Sequence, residues 1–137
     1  MSEANKQVVR RLIEEVYNKG DFAAMDEVVS EDFVSHDPTA PEPVRGREGL
    51  RAYVEMLRTA FPNIHLRIDD MIAEGGKVAV RWTATGRHEG EMLGIPATGR
   101  DVQVTGQTIG RVEDGRSAED WVSWDALGML RQLGVVS

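Results

Sequence analysis

Cysteine is absent from the 137 residues. That excludes disulfides, thiolate nucleophiles and cysteine-based metal sites, and it fits a reducing cytoplasm, the expected location. Basic blocks are missing too: 16 Lys+Arg against 23 Asp+Glu leave a net charge of −7. A surface of that sign repels nucleic acid and anionic membranes, so neither is expected as a partner. No apolar run approaches the roughly 18 residues of a membrane span. The stretch Ser2, Glu3, Asn5, Lys6, Gln7 is polar and holds no signal-peptide core. Internal repeats and low-complexity tracts are lacking, and the proline-rich patch Pro38 to Pro43 is too short to link domains. One domain over residues 1–137 is therefore expected. Three scattered histidines make no metal-ligand cluster. No glycine-rich phosphate loop opens a helix, and no Gly-x-Ser-x-Gly elbow occurs. Neither a metal nor a cofactor is expected.

What is present changes period half-way along. Val8, Val9, Leu12, Ile13, Val16 and Tyr17 recur at helical spacing over 4–18, and Lys19-Gly20 is a stop signal. Asp21 can cap a shorter helix holding Phe22, Met25, Val28 and Val29. Glu31 to Pro38 reads as a short extended segment ending in a turn, followed by a polar loop to about Gly46. Leu50, Tyr53, Val54, Leu57 and Phe61 mark the buried face of a third helix over 47–60, which Pro62 ends. Beyond that the period is two. Strands are expected over 64–72, 77–88, 101–113 and 117–124, with turns at Gly75-Gly76 and Asp114-Gly115. A Gly/Pro loop over 89–99 carries Met92, Leu93 and Ile95, and a last helix runs from Ala126 to Leu133 with Asp125 as its cap. Helices first and an antiparallel meander second make an α+β fold, the helices covering the apolar sheet face.

Alternation assigns the faces of the last strand. Ala118, Asp120, Val122 and Trp124 share one side, and Ser117, Glu119, Trp121 and Ser123 the other. The first set is apolar apart from one carboxylate. An acid on such a face is costly unless it has a partner or a task, so Asp120 is expected on the floor of a small-molecule pocket. The opposite face of the sheet mixes Arg81, Thr83, Gln103, Gln107, Ile109 and Trp121. A Trp there points to a second copy over the sheet, a homodimer; a lone, partly exposed aromatic is the plainer alternative.

Four strings carry a family resemblance: Gly46-Arg47-Glu48-Gly49-Leu50, Gly86-Arg87-His88-Glu89-Gly90, the run Leu93 to Arg100 (LGIPATGR), and the run Trp124 to Gly134 (WDALGMLRQLG). Together, in this order, they make the chain similar to the SnoaL-like polyketide cyclases and ester cyclases of the NTF2-like superfamily. The resemblance implies a cone: three N-terminal helices on a curved antiparallel sheet, with a short C-terminal helix. It also implies cofactor-free aldol ring closure by an aspartic acid on the last strand, with histidines nearby. A gapless register on Asp114-Gly115 and Leu130 to Gly134 puts the family's acid on Val122, one His on Thr108 and the other on Asp120. None is kept as the same residue type. A carboxylate remains on the same strand face, displaced by one step.

Asp120 is thus read as a general acid–base residue whose pKa is raised by Trp82, Val122 and Trp124; the alternative is an acid paired for structural reasons. His36, before Asp37-Pro38, is its candidate partner, or else a turn histidine. His88 either touches the ligand or supports the loop that follows it, while His65 has outer parity. Tyr53, Met56, Phe61, Met92 and Leu93 suit pocket walls or plain core. Gly106 and Gly110 leave room for a ligand or permit bending. The function expected is acid–base chemistry, aldol cyclisation or isomerisation, on a hydrophobic carbonyl compound. The alternatives are a non-catalytic ligand-binding or accessory domain, and a hydrolase or hydroxylase on the same scaffold.

Overall fold

The computed structural model describes residues 2–137. Helix α1 (Ser2–Arg11) continues without a break into a π-helical segment (Leu12–Tyr17), followed by α2 (Phe22–Val28), β1 (Val29–His36), β2 (Val44–Arg45) and α3 (Gly46–Ala60). The sheet strands β3 (His65–Glu74), β4 (Lys77–Arg87), β5 (Asp101–Glu113) and β6 (Arg116–Trp124) come next, and α4 (Ala126–Gln132) closes the order. The α+β cone is as expected, with helices on one face of a curved sheet. Local chemistry accounts for several boundaries. The Asp21 carboxylate accepts from Ala24 N at 3.0 Å and the Asp125 carboxylate from Gly128 N at 2.8 Å, so both acids are N-caps. Asp114 and Gly115 both take positive φ (53° and 75°), the geometry of a tight two-residue hairpin.

Three features depart from the simple meander. First, the sheet has six strands in the order β2-β1-β6-β5-β4-β3, and β1 lies parallel to β6. The short segment before the proline-rich loop is thus a strand beside the acid-bearing one, and the loop itself contributes β2. Second, the register slips between Ile68 and Asp70. One extra residue reverses the parity of the rest of β3, so Ile72 is 65% exposed while Met71 and Ala73 turn inward. Third, the register slips between Arg111 and Val112 on β5 opposite β6: Arg111 faces Glu119 but Val112 faces Ser117. Ala118 is the extra residue. Ser117, not Ala118, is the one buried on the inner face, against the simple alternation.

The interior is divided. Leu12, Val16, Met25, Val28, Phe33, Leu50 and Val54 pack between the helices and β1. Val9 and Ile13 of the N-terminal helix sit on Val78, Val80 and Val112. Phe61, Val102, Val104, Met129 and Leu133 join the end of α3 to β5 and α4. The space these clusters surround is not filled, and it forms the candidate site.

Candidate active site

Alternation on two adjacent strands builds the floor of the cavity. On β6, Asp120, Val122 and Trp124 face inward. On β1, Phe33 and Ser35 face inward, and the following Asp37 shares their side. The parallel register sets Ser35 directly opposite Asp120. β5 adds Thr108 opposite Val122 and Gly110 opposite Asp120. Tyr17, Tyr53, Leu57 and Phe61 come from the helices, Trp82 from β4 and Met92 from the loop beyond it. The cavity measures about 140 Å³, on the order of one known to admit a benzene-sized ring.

Asp120 is 6% exposed. Its Oδ1 accepts a short hydrogen bond from the Ser35 hydroxyl. Burial pushes the carboxyl up from its ordinary 3.8 to about 6. The Ser35 bond and nearby His36 pull it down, while Asp37 and Glu119 push it further up. Desolvation outweighs the other influences, which is the condition for a carboxyl to exchange protons near neutral pH. Asp37 is held in a different way. It accepts the Trp124 indole N–H at 3.0 and 3.2 Å, and it accepts Thr39 N and Thr39 Oγ1 at 2.8 Å each. The Trp82 indole N–H goes to Thr108 Oγ1 at 3.0 Å. Both tryptophans therefore present apolar ring surface with the polar edge satisfied.

Gly106 explains how Trp82 fits. The two residues face each other across the β4–β5 ladder. A Cβ on Gly106 would lie 2.3 Å from Trp82 Cζ2 and 2.9 Å from Ser123 O, so only a glycine lets the indole lie flat there. A Cβ on Gly110, opposite Asp120, would by contrast meet only ordinary contacts, Val9 at 3.8 Å and Val78 O at 3.9 Å.

Asp120, Tyr53, Phe61, Trp82, Met92, Thr108, Val122 and Trp124 all line the cavity. The remaining expected residues lie elsewhere. His36 has the opposite parity to Ser35, so its ring sits on the outer sheet face. There it stacks on Trp121 at 5.6 Å and donates from Nε2 to Glu119 Oε2 at 2.7 Å. That bond, with a second from Arg111, holds the Glu119 carboxyl below its usual range. His36 makes no contact with Asp120, and Ser35 takes the place expected for it. Met56 is 39% and Leu93 51% exposed, both outside the cavity. Met56 lies off the apolar stripe of α3, and Leu93 sits at positive φ (52°) in the turn that Met92 and Ile95 close. His88 is fully buried but clasps the loop: its Nδ1 accepts Thr98 N at 3.2 Å and lies 3.1 Å from Thr98 Oγ1. Tyr17, Ser35 and Asp37 join the site without having been expected there. Period-two reading of β1 finds the last two, because Phe33, Ser35 and Asp37 share a side.

The chain has counterparts in both sequence and fold among known proteins. The SnoaL-like polyketide cyclase model matches residues 7–133. The chain belongs to this family, within the NTF2-like superfamily. It is 35% identical over 133 residues to aklanonic acid methyl ester cyclase DnrD of Streptomyces peucetius, covering 93% of this chain and 88% of that one. A SnoaL-like polyketide cyclase structure from Jannaschia sp. CCS1 superposes with a TM-score of 0.90 at 25% identity, over 99% of this chain and 95% of that one. TsrD from Streptomyces laurentii gives 0.87 at 34% identity, over 98% and 97%. A family function of the cyclase or isomerase kind on hydrophobic small molecules follows from membership. No helix is long and apolar enough to cross a membrane among the described residues.

Proposed function

We propose that this chain catalyses an intramolecular aldol cyclisation of a carbonyl-bearing polyketide ester, with Asp120 as the acid–base residue. The observation that carries the reading is the Asp120 carboxyl itself, desolvated on the cavity floor, raised to about 6 and steadied by one hydroxyl. In its ionised form it takes the proton from a carbon next to a carbonyl. The carbanion attacks a second carbonyl within the same molecule, forming one carbon–carbon bond. The proton then passes from Asp120 to the new alkoxide, so the reaction is redox-neutral and restores the carboxylate. The cavity engulfs about one ring of such a ligand, and the apolar walls of Trp82, Val122, Trp124 and Phe61 keep bulk water from quenching the carbanion. Thr108 and Val122 depart from the residues the family resemblance implies and favour the non-catalytic alternative; the acid that remains stands one step away on the same strand face, where Ser35 holds it. His36 acts on this scheme only through charge, from the other side of the sheet.

Aklanonic acid methyl ester is the assay substrate of choice, because the curated relatives are named for it. Asp120→Asn is expected to abolish turnover, by a factor of about 10²–10⁴, while leaving ligand-induced thermal stabilisation in place. Unchanged turnover sinks the assignment. Stabilisation by compounds that neither protein converts favours a binding domain instead.

We also infer a homodimer through the outer sheet face. Ile72, Ala79, Ile109, Trp121 and His36 stand in one continuous cross-strand row. Ile72, Ile109 and Trp121 are 65%, 47% and 41% exposed, a stripe suited to a second copy. Sedimentation equilibrium should show a dimer that Trp121→Glu dissociates; a wild-type monomer at micromolar concentration refutes it.

A further inference from the structure

The cavity holds an imbalance of charge that the ring-closure scheme does not use. Its ionisable walls are the carboxyls of Asp37 and Asp120 and the phenols of Tyr17 and Tyr53. No Lys, Arg or His lines it. The phenols carry no charge, because burial holds both well above their ordinary pKa. Whatever charge the interior bears is therefore negative, and Asp120 bears it at 6% exposure.

The cationic groups beside the acid lie on the outer sheet face and are already engaged. His36 bonds to Glu119 at 2.7 Å. Arg111 donates to Glu113 at 2.8 Å and to Glu119 at 3.3 Å. Inside, Asp120 Oδ1 accepts from Ser35, and no donor among the described residues reaches the second oxygen. That oxygen is not sealed either: the sealed side-chain atom without a partner among the described residues is His88 Nε2. A carboxyl so deeply buried, with one oxygen neither bonded nor sealed, is open to the cavity it lines. Asp37 differs, since Trp124 and Thr39 occupy its carboxylate.

The rest of the wall suits a charged nitrogen. Both tyrosines, Phe61 and two of the three tryptophans line the same space. The indole N–H groups of Trp82 and Trp124 go to Thr108 and Asp37, so neither competes for the free oxygen of Asp120. Aromatic faces attract a cation through their quadrupole, most strongly where water is excluded. A carboxylate buried without a counter-ion is costly, and an ammonium group beside it offsets that cost through a charge-assisted hydrogen bond. An anion would meet like charge and no base to hold it.

We propose that the cavity is a binding site for one-ring organic amines in their protonated form, the ammonium pairing with Asp120 and the ring lying among the aromatic walls. An interior of about 140 Å³ suits a single ring with a short amine arm. Such a ligand fills the space that an ester substrate needs and ties up the acid, so the two exclude one another. The inference uses the place of Asp120 in the cavity and not its acid–base role.

The probes are benzylamine, a cation at neutral pH, benzyl alcohol, its neutral counterpart, and benzoate, an anion with the same ring. Calorimetry on the full chain at about pH 8, where Asp120 is ionised, should rank them in that order, with benzylamine about tenfold or more ahead of benzyl alcohol. Burial and the neighbouring Asp37 and Glu119 push the Asp120 carboxyl up, Ser35 and His36 pull it down, and it takes its proton as pH falls through about 6. Benzylamine affinity should therefore drop by about tenfold on going to about pH 5. Asp120→Asn should cut that pH dependence to less than about twofold and weaken benzylamine at about pH 8 by about tenfold or more. Benzyl alcohol should change by less than about twofold. Cooperative urea unfolding shows that the variant folds. Benzyl alcohol binding as tightly as benzylamine, benzylamine affinity that survives Asp120→Asn, or no benzylamine binding up to about 10 mM overturns the amine site. Unchanged turnover of Asp120→Asn overturns the acid–base reading alone, so the two failures are distinguishable.

Discussion

Asp120→Asn has a consequence for stability that is independent of any substrate. The folded chain holds the Asp120 proton more tightly than an unfolded chain does, about 6 against 3.8. The stability this site contributes is therefore full below the unfolded value and is lost as pH rises through about 6. The difference corresponds to about 3 kcal/mol at about 1.4 kcal/mol per pH unit, an upper figure for a carboxyl that keeps one hydrogen bond. Asparagine has the same shape, does not titrate, and still accepts from Ser35. Its amide donors find no arranged partner, a pH-independent cost of about 1 kcal/mol. The informative quantity is thus the change in the gap between variant and wild type, not its absolute size. Urea unfolding at a series of pH values should show Asp120→Asn at or slightly below wild-type stability near about pH 4, and about 2 kcal/mol above it near about pH 8. In a chain of this length that gain raises Tm by roughly 6 °C. A gap that stays flat across the series refutes burial as the source of the raised carboxyl. A gap that opens in the opposite direction would mean the carboxylate is stabilised in the fold, and the general-base reading falls with it.

Ser35→Ala removes the hydrogen bond that pulls Asp120 down. The midpoint of its kcat/KM–pH profile should move above the wild-type value; a midpoint that stays or falls contradicts the role given to Ser35. Gly106→Ala places a methyl 2.3 Å from the Trp82 ring. The indole must shift into the cavity, costing about 1–3 kcal/mol in urea unfolding; wild-type stability would show that the ring is not held there.

Elements set by local chemistry are legible in the residues themselves. Asp21 and Asp125 both read as caps and both cap. The Asp114-Gly115 turn takes the left-handed geometry its residues favour. Asp120, Val122 and Trp124 share the inner face, because alternation is a property of one strand and needs no partner. The candidate site is half legible for the same reason. Single-strand parity places Asp120, Thr108 and Trp82 correctly. It fails at Ala118 and Ile72, where an inserted residue reverses the alternation and only the pairing strand reveals the slip.

His36 shows the remaining limit most clearly. Its imidazole is the residue type suited to partnering an acid, and it lies near Asp120 in the fold, yet parity on β1 turns it to the outer face. Its neighbour Ser35 meets the acid because β1 docks in parallel beside β6, a contact spanning 85 positions in the chain. Periodicity and capping belong to residues a few positions apart, so the sequence alone determined the α+β elements, the face of Asp120 and the family. Which groups surround that carboxyl and how far burial raises it depend on contacts between distant strands and helices. Those were decided only when the sheet curved around an interior that its side chains do not fill.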